Sequence, residues 1–252
     1  MANITVNFLS YTLHRAVDLT VIIPTVCFPE MMAEDPHHPQ NAKYPVLYLF
    51  HGYGNNHLTW NGYTSVELYA EERQIAVVML SAENKAYINH GGDDNYYDFI
   101  AKELPEFIRG MFPVSDRPED TFVAGLSMGG FGALVHGLSR SREFAAIGAF
   151  SGAVARKGSS EKPETNPLAL AKAAAEQGWQ KPLYIACGDA DGLFEANKDF
   201  VAEAKALGFP VTWVVGEGYG HEWRFWNREV EAFMDWLPRT DAYYNGGRKR
   251  KI

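Results

Sequence analysis

From Pro45 onward, short apolar runs alternate with longer stretches of helical period, and few architectures accommodate that alternation. The runs occupy 45–50, 76–80, 121–126, 145–150, 183–186 and 211–215. They are apolar almost throughout, as strands buried on both faces must be. A mostly parallel sheet with helices packed on both sides, an α/β fold, is the arrangement that buries them. Two more strands are predicted over 5–9 and 18–23, the second stopped by Pro24, which makes eight in all. The stretch 29–45, rich in Pro, His and Asp, reads as a surface loop. No repeat or low-complexity linker divides the 252 residues, so one domain spanning 1–252 is expected.

Among the intervening segments, Ile100, Leu104, Phe107, Ile108 and Met111 recur at helical spacing and predict one buried face. Pro105 lies inside that pattern, so the helix must kink or begin there. Trp226, Val230, Phe233 and Leu237 predict a terminal amphipathic helix ended by Pro238. The segment 158–178, with Pro163, Pro167 and an alanine-rich run, predicts a small helical insertion over the sheet edge.

Charge narrows the partners. With 23 Lys and Arg against 31 Asp and Glu, the net charge of −8 argues against nucleic acid or anionic membrane, which call for a clustered positive footprint. The basic run from Arg248 to Lys251 follows Gly246 and Gly247 at the chain end and reads as a solvated tail. No apolar stretch approaches the roughly 18 residues of a membrane span. The N-terminus lacks the pattern of a signal peptide, so cytoplasmic residence is expected. Cys27 and Cys187 are too few for a disulfide framework or a cysteine zinc cluster and read as free buried thiols.

Gly125-Leu126-Ser127-Met128-Gly129 matches G-x-S-x-G between a predicted strand and a helical pattern. A serine hydroxyl becomes a useful nucleophile when a tight strand-to-helix turn lifts it clear of its surroundings beside a base. The chain order for such a turn is Ser, then Asp or Glu, then His. His221 lies in the glycine-rich stretch 216–223, between the last strand and the terminal helix, and suits the base. His136, nine residues into the helix that follows Ser127, should point away. For the acid, Gly188-Asp189-Ala190-Asp191-Gly192 offers two carboxylates. Asp191 is favoured because it sits farther from the strand, whereas Asp189 is placed to brace the turn and is the runner-up. An oxyanion hole needs two backbone N–H groups. Met128 supplies one, and Tyr53, in His51-Gly52-Tyr53-Gly54 after the strand 45–50, supplies the other.

These motifs together resemble the esterase D and tributyrin-esterase branch of the α/β-hydrolases, which includes feruloyl and acetyl-xylan esterases. HGYGNNHLTW, YYDFIAKELPEFI, SDRPEDTFVAGLSMGGFGAL, CGDADGLFEANKDF and GHEWRFWNREVEAFMDWLP carry the resemblance over nearly the whole chain. It implies the α/β-hydrolase fold, with Ser127 as nucleophile, Asp191 as acid and His221 as base. It also places Pro105 within a long helix. The expected activity is hydrolysis of short-chain acyl or hydroxycinnamoyl esters, free or linked to an oligosaccharide, without metal or organic cofactor. S-formylglutathione hydrolase or acyltransferase chemistry on the same fold is the alternative, and a non-catalytic binding protein a more distant one. Trp60 and Trp223 are the candidate pocket walls, with Trp226 read as core. His37, His38 and the 90–94 loop, which has the hard oxygen ligands a cation prefers, read as solvated. A homo-oligomer is compatible with all of this.

Overall fold

The computed structural model describes residues 1–35, 42–154 and 162–244, which leaves His37, His38 and the basic tail outside the described residues. Eight strands form one sheet in the order β1-β2-β4-β3-β5-β6-β7-β8. They are β1 (Ala2–Ser10), β2 (Arg15–Ile23), β3 (Val46–Phe50), β4 (Ala76–Leu80), β5 (Thr121–Leu126), β6 (Ala146–Phe150), β7 (Leu183–Gly188) and β8 (Val211–Gly216). All but β2 run in one direction. Strands β3 to β7 are buried at every position. Their alternate residues feed different layers: Val46, Tyr48 and Phe50 enter one core, and Leu47 and Leu49 the other. β8 departs from the expectation of two-sided burial. It is an edge strand, half-exposed along most of its length, because no further strand among the described residues pairs with it.

The helices are α1 (Phe28–Met31), α2 (Thr59–Tyr63), α3 (Val66–Arg73), α4 (Tyr96–Asp98), α5 (Leu104–Met111), α6 (Met128–Ser139), α7 (Pro167–Glu176), α8 (Phe194–Ala206) and α9 (Trp223–Trp236). Helices α3 and α9 cover one face of the sheet, and α5 to α8 the other. The alanine-rich segment is not an insertion over the edge. It forms α7, whose Ala171 and Ala174 are buried in the main core against α6 and α8, making α7 the ordinary crossover between β6 and β7. Asn166 starts it, its side-chain oxygen accepting from the N–H groups of Leu168 and Ala169.

Pro105 is accommodated without a break. A π-turn over Phe99–Glu103 leads into α5, and the Leu104 N–H reaches back to Phe99 O, so the helical path is continuous from Tyr96 to Met111. Met111 is exposed rather than buried, and Phe112 beyond it packs on the core instead. The same turn buries Glu103. Its carboxylate accepts from Ser10 Oγ at 2.8 Å and from the N–H groups of Tyr11 and Thr12 at 2.9 Å each, closing the β1–β2 hairpin. Glu103→Ala strands those donors and is expected to cost about 3 kcal/mol, or roughly 10 °C in Tm. A thermal melt within about 2 °C of wild type would refute this role for the carboxylate.

Candidate active site

The C-terminal ends of the parallel strands gather the loops that carry chemistry. At the end of β5, Ser127 adopts φ 52° and ψ −116°, a left-handed turn rare for a residue with a side chain. Its neighbours enforce it. Ser127 N–H donates to Phe150 O at 2.9 Å, and its carbonyl accepts from Ala153 at 3.0 Å. Only glycine fits two residues to either side: a Cβ on Gly125 would strike the Gly129 carbonyl, and one on Gly129 the carbonyl oxygens of Phe50 and His51.

Two loops bring an imidazole and a carboxylate to this turn. His221, in the loop after β8, places Nε2 3.0 Å from Ser127 Oγ. Its Nδ1 lies 2.8 Å from Asp191 Oδ2, in the loop after β7. Asp191 is buried, and its Oδ1 also accepts from the Leu193 N–H at 2.9 Å. Burial alone would push this carboxyl up, but hydrogen bonds from His221, the Leu193 amide and Ser151 outweigh it and hold the pKa below the ordinary value. Asp189 is exposed and takes the bracing place, its Oδ1 accepting from the Gly218 N–H at 2.8 Å. His136 is fully buried, with Nε2 2.9 Å from Tyr87 O.

Gly52 packs against the Ser127 turn: a Cβ there would lie 2.5 Å from Leu126 Cδ1 and 3.6 Å from Ser127 Cβ. Among the described residues, the N–H groups of Tyr53 and Met128 have no acceptor. A cleft of about 340 Å³ opens above Ser127, with Tyr53, His221, Trp223 and Trp226 among its walls. Trp60 is not one of them. It is completely buried, its indole N–H donates to Phe50 O at 3.1 Å, and it meets Trp223 edge-on at 5.4 Å. It therefore supports the wall instead of forming it. Trp223 also carries Tyr63 stacked on its outer side at 4.9 Å.

Two contributors were missed in the sequence. Trp226 sits in the buried stripe of α9, yet its ring stands edge-on to His221 at 4.8 Å. Its indole N–H donates to Ser151 Oγ at 3.1 Å. Ser151 is buried at φ 48°, directly after β6, and also hydrogen-bonds to Asp191. Its place after a strand at this end of the sheet was the available signal. Cys187 lies 4.0 Å from Ser151 Oγ, and burial pushes its thiol pKa up to about 12. The carboxylates of the 90–94 loop already have partners, Asp93 with His14 and Asp94 with Lys85 and Arg15. Among the described residues there is no cluster of three or more metal-ligating side chains.

The Esterase family model matches residues 30–236 of this chain. This chain belongs to the Esterase family. An acetyl esterase of Caldicellulosiruptor saccharolyticus is 31% identical to this esterase, covering 95% of this chain and 99% of its own. Among solved structures, fluorophosphonate-binding serine hydrolase F of Staphylococcus aureus is 27% identical, with a TM-score of 0.83 over 95% of this chain and 99% of that one. An S-formylglutathione hydrolase of Staphylococcus aureus is 28% identical, with a TM-score of 0.80 over 94% of this chain and 98% of that one. The esterase is a serine carboxylic-ester hydrolase of the α/β-hydrolase fold. No helix among its described residues is long and apolar enough to cross a membrane.

Proposed function

We propose that this esterase cleaves short-chain acyl and hydroxycinnamoyl esters through an acyl-enzyme on Ser127. The observation that carries the reading is the chain of contacts from Ser127 Oγ to His221 at 3.0 Å and from His221 to Asp191 at 2.8 Å. His221 takes the hydroxyl proton as Oγ attacks the ester carbonyl, and Asp191 holds the imidazole and balances its charge. The amides of Tyr53 and Met128 receive the oxyanion. The alcohol leaves with the proton from His221, and water then attacks the acyl-enzyme by the same route.

The short-acyl part of the reading is supported by the acetyl esterase that aligns over nearly the whole chain. The stacked Tyr63–Trp223 pair beside the cleft suits a flat phenolic acyl group or a sugar-linked alcohol. A single sheet threading from Ala2 to Gly216 supports one domain over the 252 residues. The two unpaired buried thiols suit the reducing cytoplasm.

A panel of p-nitrophenyl esters of rising chain length, with methyl ferulate alongside, tests the substrate class. Acetate and butyrate are expected to turn over fastest among the aliphatic esters. If every aliphatic ester is inert, the short-acyl reading fails, and if methyl ferulate is untouched, the hydroxycinnamoyl part fails. The likeness to an S-formylglutathione hydrolase gives the thioester alternative a specific basis. Adding an alcohol acceptor and analysing products separates hydrolysis from acyl transfer.

A further inference from the structure

His51 is buried beside the turn that carries the Tyr53 amide, and no step of the proposed chemistry uses its ring. Its two ring nitrogens meet partners of opposite kind. Nδ1 lies 2.7 Å from the Gly52 carbonyl oxygen, which can only accept. Nε2 lies 3.0 Å from the Ala82 backbone nitrogen, which can only donate. One form of the ring satisfies both, the neutral tautomer with its proton on Nδ1.

The Gly52 carbonyl and the Tyr53 N–H belong to the same peptide unit, which is planar and trans, so they point in opposite directions. A ring that holds the carbonyl on one side turns the N–H to the other. Gly52 packs beside Ser127, and Tyr53 and Ser127 share the cleft. We propose that His51, as the neutral Nδ1–H tautomer, is a positioning residue that aims the Tyr53 N–H at the oxyanion. The inference rests on the reading of Tyr53 as an oxyanion donor.

Neighbouring contacts hold His51 still while it does this. Tyr87 OH donates to the His51 carbonyl at 2.7 Å, and its ring stacks on Phe50 at 4.5 Å. Past Tyr53, the Gly54 N–H donates to Asn84 Oδ1 at 2.7 Å, fixing the far end of the turn. Burial pushes the imidazole pKa down to about 4, which keeps the ring neutral near neutral pH.

Substitutions separate aiming from mere bracing. His51→Asn keeps an N–H donor near the Nδ1 position and gives up Nε2. His51→Gln keeps an acceptor near Nε2 and gives up the Nδ1 donor. Both are assayed on p-nitrophenyl acetate as full-length proteins beside Ser127→Ala. His51→Gln is expected to lose about 10²-fold in kcat with KM within about threefold, the signature of one lost oxyanion donor. His51→Asn is expected to keep kcat within about tenfold of wild type. A folded His51→Gln protein with wild-type kcat overturns the inference, as does a His51→Asn protein that falls equally far. Ordinary turnover by Ser127→Ala overturns instead the reading beneath it. If neither His51 variant folds, wild type decides: in assigned ¹⁵N-histidine NMR spectra at neutral pH the His51 proton is expected on Nδ1, and a proton on Nε2 overturns the inference.

Discussion

Replacing Ser127 with alanine is expected to lower kcat for p-nitrophenyl acetate by at least about 10⁴-fold while the protein stays folded. The hydroxyl is the only group removed. Among the described residues its one side-chain partner is His221 Nε2 at 3.0 Å, in a cleft open to water, so its loss strands no buried group. The turn survives because backbone bonds from Ser127 to Phe150 and Ala153 hold it, along with the close approach of Gly125 to Gly129. Tm should therefore move little. Residual hydrolysis would come from the Tyr53 and Met128 amides acting on bound ester with water as nucleophile. Organophosphonate labelling gives a second readout, since a covalent adduct at Ser127 is expected in wild type and none in the variant. A variant with ordinary turnover would move the nucleophile elsewhere, and an unlabelled wild type would favour a binding protein on this fold.

Asp191→Asn is expected to cost about 10⁴-fold in kcat with little change in structure. The carboxylate accepts the His221 Nδ1 proton at 2.8 Å, which leaves Nε2 bare to receive the serine proton. A carboxamide of the same shape can turn its N–H₂ toward Nδ1, moving the ring proton to Nε2 and pointing a donor at Ser127. Ser151 and the Leu193 amide also feed hydrogen bonds to this carboxylate, and together with His221 they keep it ionised despite burial. Asp189→Asn is the contrast. Its remaining amide oxygen still accepts from the Gly218 N–H, so a loss of less than about tenfold is expected. If the variant at 189 falls further than the one at 191, the acid has been misassigned.

Much of the fold was legible because buried parallel strands leave continuous apolar runs, and five of the eight strands are buried throughout. β8 carries the same kind of run yet lies at an edge, because composition reports apolarity and not the neighbour that covers it. The alanine-rich segment misled for a related reason. Small residues at helical spacing show that a helix packs closely, whereas the sheet order decides whether it covers a face or an edge, and α7 lies on the face beside α6. Met111 continues the periodicity of α5 one turn beyond the surface that buries it.

In the site, chain order and turn chemistry singled out Ser127, Asp191 and His221, three residues that the fold does bring into contact, since a strained strand-to-helix turn and two loops at strand ends leave local marks in sequence. The aromatic walls did not yield to the same reasoning. Trp60, Trp223 and Trp226 look alike along the chain, and only packing makes the first a buried support, the second a cleft wall and the third an edge against His221. Ser151 and His51 belong to the same class, ordinary polar residues that each need a partner from far along the chain, Trp226 of α9 for Ser151 and the Ala82 amide for His51 Nε2. Local spacing carries period, order and backbone strain, because these are properties of neighbours in the chain. Which side chains share a cleft, and which nitrogen of a buried imidazole bears the proton, depends on groups that meet only when the sheet closes.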